Sequence, residues 1–255
     1  MIEIVIRGVL AWLLLPPLLG IVSTAVLVQY LVGSRDSRAH WAYRGFSRAL
    51  LAIGGVRTEV RGVDHIVPGQ AYILVCNHES NLDPFALLQA LPELCIRFVV
   101  KRELARIPVF GAALRYTGNV EVDRQRGGGA DVRRIEATMA EREAAVSLLF
   151  FAEGTRSRDG AFRAFKKGAF ATAIRAQLPI LPMAVSGTYA SLPPARPAPR
   201  PGHVAVEIGE PISTAGLQLK DRDQLLDDVR ACVAQLRAAG RARLREAGHE
   251  PGGVD

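Results

Sequence analysis

From Val9 to Val32 the chain reads VLAWLLLPPLLGIVSTAVLVQYLV, with no charged residue. A stretch of that length is enough to cross a hydrocarbon core about 30 Å thick. Pro16 and Pro17 interrupt it. A proline inside a helix removes a hydrogen bond and clashes with the preceding turn. If the pair breaks the helix, the part after it, Leu18 to Val32, is only about 22 Å long. The arrangements left are a kinked span, a helical hairpin dipping into one leaflet, or a buried hairpin of a soluble fold, and the leaflet hairpin is the expected one. A cleaved signal peptide fits poorly, because Glu3 accompanies Arg7, the apolar stretch is long and no small-residue cleavage site follows. Arg35, Arg38, Arg44 and Arg48 come after the stretch and only Arg7 before it, which places the remainder of the chain in the cytoplasm, on the inner membrane. The organisation expected is a membrane-anchoring helical segment over 1–40, one domain over 41–248 and a flexible tail over 249–255.

The chain is long enough for such a domain, with 255 residues of which 49% are hydrophobic and 22% charged. Its 32 basic against 25 acidic residues give a net charge of +7 and call for an anionic partner. Nucleic acid is disfavoured: only 6% of residues are aromatic, no recognition motif occurs, and the apolar stretch would have no purpose. Phospholipid headgroups or a phosphorylated substrate remain. Cys76, Cys95 and Cys232 lack metal or disulfide spacing and read as small apolar residues in a reducing compartment.

After the apolar segment, strand-like and helix-like stretches alternate. VRTEVRGV, AYILVCN, IRFVVKR, TGNVEVDR, VSLLFF, PILPMAVSG and HVAVEIG read as strands. DPFALLQAL, with Asp83 as its cap and Pro84 in its first turn, reads as a helix, as do ADVRRIEATMAEREAA, KKGAFATAIRA and DRDQLLDDVRACVAQLRAA. This alternation predicts an α/β fold in which helices flank a central, mostly parallel or mixed sheet.

Two junctions between an apolar strand and polar residues carry the chemistry. In CNHESNLDPF, His78 and Asp83 lie five residues apart, about 140° around a helix axis, so they meet only if the chain turns between them. If they meet, the carboxylate orients the imidazole as a general base. If they do not, Asp83 simply caps its helix and His78 fills a hydrogen-bonding niche. The second junction, LLFFAEGTRSRDG, sets Glu153, Gly154, Thr155 and Arg156 where a turn, a hydroxyl and a guanidinium fork form an anion cradle. FKKGAF follows, and Lys101 and Arg124 close two other strands, so several cations converge on one sheet edge. No G-x-S-x-G elbow and no H-E-x-x-H or paired-cysteine pattern points to a serine hydrolase or a metal site.

NHESNLD, GNVEVDR, FAEGTRS and LPILPMAVSGT, in this order between about Leu51 and Gly187, resemble the four motifs of the 1-acylglycerol-3-phosphate acyltransferase family. Ala152 stands where that family's third motif usually has proline, which is expected to loosen the turn before Glu153. The resemblance implies a glycerol-3-phosphate acyltransferase-like fold and a membrane-associated enzyme of phospholipid biosynthesis. In that enzyme His78, oriented by Asp83, activates the free hydroxyl of lysophosphatidic acid for attack on acyl-CoA or acyl-carrier protein. Asn77, Glu153, Gly154, Thr155 and Arg156 would then bind the acceptor, with Arg156 on its phosphate, while Lys101 and Arg124 add positive potential. No cofactor or metal is expected. A lyso-aminolipid, lysophosphatidylinositol or glycerol 3-phosphate is the alternative acceptor.

Overall fold

The protein is described by a computed structural model over residues 2–32, 40–122, 135 and 146–254. Strand β2 (Ile73–Cys76) lies in the middle of the sheet, and all four of its residues are fully buried. Leu74 and Cys76 enter one apolar layer and Ile73 and Val75 the other, as the two-residue period of a strand covered on both faces requires. The other strands are β1 (Val56–Arg61), β3 (Cys95–Lys101), β4 (Val120–Val122), β5 (Val146–Phe151), β6 (Ile180–Ser186) and β7 (Gly202–Ile208). They form a sheet in the order β1-β7-β6-β2-β5-β3-β4. Every neighbouring pair is parallel except β6 and β7. The expected mixed α/β sheet is therefore present, and all of the expected strands are in it. The carboxyl ends of β2, β3, β5 and β6 share one edge, where ligands of open α/β sheets bind.

Helices α2 (His40–Gly54) and α3 (Asp83–Ala90) cover one face, while α5 (Gly168–Ala176) and α7 (Arg222–Glu246) cover the other. Two short helices, α4 (Phe110–Tyr116) and α6 (Thr188–Ser191), complete the described set. The helix expected in ADVRRIEATMAEREAA lies outside the described residues apart from Ile135, which is helical and buried beside α5.

The N-terminal segment departs from the expected hairpin. Helix α1 runs without a break from Ile2 to Leu31, through both prolines, for about 45 Å. Each interior proline costs about 3 kcal/mol, and the missing N–H groups leave the carbonyls of Trp12 and Leu13 without helical donors. Packing offsets this. Leu15, Leu18, Leu19 and Val22 sit against the core, Val26 meets Ala42 and Ala113, and Tyr30 stacks on Tyr116 at 4.3 Å. Apolar burial at about 1.5–3 kcal/mol per large side chain is of the size needed. Arg7 donates to the carbonyls of Ala52 and Ile53 at 3.2 and 3.0 Å, so a cation meets the carboxyl end of α2 and the two helices lie antiparallel.

Arg44, one of the cations that follow the apolar stretch, is engaged within the fold. Its guanidinium donates to the carbonyls of Leu91, Pro92 and Leu94, closing the end of α3. Arg35 and Arg38 lie outside the described residues. Within the expected tail, Val254 N–H donates to Asp159 O at 2.9 Å, and Gly252 O accepts from Arg241 at 2.9 Å. Buried guanidinium groups on α7 need acceptors, and the tail's carbonyls supply them.

Candidate active site

The turn between β2 and α3 brings His78 and Asp83 together. His78 Nδ1 lies 2.7 Å from Asp83 Oδ2. The same oxygen accepts the backbone N–H groups of Glu79 and Ser80 at 2.7 and 2.9 Å, and Oδ1 accepts the Thr188 hydroxyl at 2.5 Å. Asp83 is wholly buried and is the first residue of α3, but its oxygens reach back to the loop instead of capping the helix. Four donors around one carboxylate assign the proton of His78 to Nδ1 and leave the lone pair on Nε2. The ring lies on Phe151, centroids 3.9 Å apart and planes within 15°, with 14% of the side chain open to solvent. The imidazole is thus held through Nδ1 with one face supported, an arrangement that can serve as a general base.

The second junction is tied to the first at His78 itself. Glu153 Oε1 accepts the His78 N–H at 3.2 Å, and Ser157 N–H donates to His78 O at 2.9 Å. Between them Gly154 takes φ +74, and a Cβ there would lie 2.6 Å from Cε of Lys166, so Lys166 lies across the turn. Thr155 is exposed and Arg156 half-buried, and no other described residue engages the Arg156 guanidinium. Ala152 does not loosen the turn. Its N–H donates to Cys76 O at 3.1 Å, a bond that proline cannot make, and Gly154 N–H closes on Phe151 O at 2.9 Å.

Lys101 ends β3 at this edge, and Arg124 lies outside the described residues. Asn77 directly follows β2, beside the base. It is fully buried, and its amide exchanges two 2.8 Å hydrogen bonds with the backbone of Val185 on β6. Its side chain therefore ties the end of β2 to β6.

The Acyltransferase family signature matches residues 57–186, half of the chain, and spans both junctions. The chain belongs to the acyltransferase family. Over 178 residues the chain is 37% identical to mouse 1-acyl-sn-glycerol-3-phosphate acyltransferase alpha, covering 69% of this chain and 62% of the relative. The human protein of the same name is 35% identical over 176 residues, again with 69% and 62% covered. The chain thus spans a little under two thirds of the curated relatives it matches. The crystal structure of the 1-acyl-sn-glycerophosphate (LPA) acyltransferase PlsC from Thermotoga maritima superposes with a TM-score of 0.66 at 26% identity, over 86% of this chain and 95% of that one.

Several supporting side chains of this acyltransferase carried no separate expectation. Thr188 lies just past the fourth motif's strand, and Phe151 ends an apolar run. Glu79 and Arg237 form a buried pair at 3.0 Å across 158 residues of sequence, and no local pattern connects them.

Glu153 gives the site a pH signature. Burial pushes its carboxyl from 4.5 up to about 7; the His78 N–H bond pulls it down and the nearby Asp83 charge pushes it up. The folded state then binds a proton at Glu153 more tightly than the unfolded chain, so this group's contribution to stability is full below about pH 4.5 and is lost as pH rises toward 7, on the order of 3 kcal/mol. Glu79, raised by burial against the pull of Arg237, adds a loss of the same sign. Glu153→Gln is therefore expected to unfold with a shallower pH slope than the wild type and to be the more stable of the two at pH 8. Denaturant titrations at pH 5 and pH 8 check this, and identical slopes would contradict it.

Proposed function

We propose that the chain moves a fatty acyl group from acyl-CoA or acyl-carrier protein to the free glycerol hydroxyl of lysophosphatidic acid, forming phosphatidic acid without a cofactor. The observation that carries this reading is the His78 to Asp83 contact of 2.7 Å, built at the strand end to which the Gly154, Thr155, Arg156 turn is bonded. The relatives, 1-acyl-sn-glycerol-3-phosphate acyltransferases, supply the acceptor class. His78 Nε2 takes the hydroxyl proton as the oxygen attacks the thioester carbonyl, and Asp83 stabilises the imidazolium that results. The tetrahedral intermediate, with its oxyanion on backbone N–H groups, collapses by breaking the carbon–sulfur bond. The leaving sulfur takes the proton from Nε2, and ester and thiol depart. No acyl-enzyme is needed. Thr155 and Arg156 hold the phosphate, with Lys101 and Arg124 adding positive potential.

Arg156→Ala tests the headgroup assignment. Loss of a charged hydrogen bond, about 1.5–3 kcal/mol, should weaken use of a phosphate-bearing acceptor by roughly ten- to 150-fold and leave the donor KM in place. Equal losses for acceptors with and without phosphate would overturn the assignment.

We further propose that the α1–α2 pair holds the protein on the cytoplasmic leaflet of the inner membrane without crossing it. Glu3–Leu31 is long and apolar enough to cross a bilayer, and Val5, Trp12, Leu13, Ile21, Leu31 and Trp41 are at least 60% exposed. Contacts at both ends of α1, Arg7 on α2 and Tyr30 on Tyr116, favour a helix that stays with its domain. In a variant lacking the native cysteines, a cysteine replacing Ile2 should resist a membrane-impermeant thiol reagent until the cells are permeabilised. Labelling of intact cells would refute the arrangement.

A further inference from the structure

We propose that Arg237 is a positioning residue for acyl transfer, holding the base loop and the headgroup loop in one frame, and that residues 250–254 form a clasp completing its hold. This rests on the function proposed above. Arg237 belongs to α7, outside the stretch that matches the family. Its side chain is 6% exposed. Nε donates to Glu79 Oε1 at 3.0 Å, and Nη2 donates to Gly160 O at 2.6 Å and to Val254 O at 3.0 Å. Each acceptor leads to a different part of the site. Glu79 follows the base and gives its own N–H to Asp83. Gly160 ends the loop that begins at Glu153 and carries Thr155 and Arg156. Val254 belongs to the tail.

The tail meets the headgroup loop backbone to backbone. Gly160 (φ +81) and Gly253 (φ +69) face one another so closely that a Cβ on Gly160 would come within 2.4 Å of Gly253 Cα. Val254 N–H donates to Asp159 O, and Arg241, one turn beyond Arg237, donates to Gly252 O. Two buried guanidinium groups and a glycine-to-glycine contact thus press the tail against the far side of the loop that presents Arg156.

Stability alone is a poor account of this pair. A buried ion pair seldom repays its desolvation unless every remaining polar atom is satisfied. Here Glu79 Oε2 has no hydrogen-bond partner among the described residues. What the guanidinium supplies instead is geometry: a rigid, planar fork joins three segments whose backbones, among the described residues, are linked only pairwise, by Ser157 N–H on His78 O and Val254 N–H on Asp159 O. Lysine can match the charge but not the three directions.

The test uses the full chain and three variants, Arg237→Met, Arg237→Lys and deletion of 250–255, each compared with wild type well below its own unfolding midpoint. Amide hydrogen exchange at Glu79, Ser80 and Ser157 reads loop position, and steady-state kinetics with lysophosphatidic acid and acyl-CoA read its consequence. Arg237→Met should speed exchange at these amides and lower kcat about 100-fold, the scale of a misplacement near 1 Å. Arg237→Lys should restore most of the thermal midpoint but little of kcat. The deletion should raise the acceptor KM several-fold and leave the donor KM unchanged. Full recovery of kcat by lysine would assign Arg237 to charge balance and overturn the proposal. So would a folded methionine variant with wild-type exchange and kinetics. If wild type itself does not turn over lysophosphatidic acid, the functional reading fails, while the exchange comparison still decides whether Arg237 holds the two loops.

Discussion

Replacing His78 with alanine is expected to lower acyl transfer by about 10²–10⁴-fold, the range set by loss of a general base, with little change in the thermal midpoint. The ring lies over Phe151 and is partly open, so its removal leaves a surface notch and no closed cavity. Asp83 Oδ2 would still accept the N–H groups of Glu79 and Ser80, so no buried polar group is orphaned. Steady-state turnover beside a thermal melt measures both quantities. Turnover within a few-fold of wild type, with the melt unchanged, would remove His78 from the mechanism.

Asp83→Asn should be nearly as damaging to turnover, for a different reason, and should also cost stability. The amide oxygen can take the place of Oδ2 before its three N–H donors, with the NH₂ group toward Thr188, whose hydroxyl can turn to accept. The loop then survives, but the charge that stabilises the imidazolium is gone. Turnover is expected to fall about 10²–10⁴-fold, and unfolding to become easier by about 1–3 kcal/mol as charged hydrogen bonds become neutral ones. A variant that lost stability alone would make Asp83 only a brace for its loop.

The strands were legible because the central ones, such as β2 and β5, are buried on both faces and read as unbroken apolar runs. The junctions after them were legible because chemistry at a strand end concentrates unusual residues within a short stretch. The course of α1 was not. Helix-breaking by Pro16 and Pro17 is a local rule, and the packing that overrides it comes from α2 and α4, whose contacts no local pattern shows. The structural tie made by Asn77 was hidden for a similar reason: the motif supplies the amide, but only the position of β6 shows that Val185 engages both its ends. Tail docking depends on Arg237 and Arg241, which on sequence alone look like solvated charges of an amphipathic helix. Their acceptors lie at Glu79, Gly160 and in the tail itself.

In the function proposed above, His78 serves as base for a phosphate-bearing lysolipid. Incubating the protein in lipid vesicles with acyl-CoA together with one acceptor at a time, lysophosphatidic acid, a lyso-aminolipid, lysophosphatidylinositol or glycerol 3-phosphate, and reading products by mass spectrometry, tests this. Wild type should convert lysophosphatidic acid to phosphatidic acid faster than it acylates any other acceptor, and His78→Ala should form none above background. Preferred acylation of the lyso-aminolipid, or phosphatidic acid formed equally by the His78→Ala protein, would contradict the account.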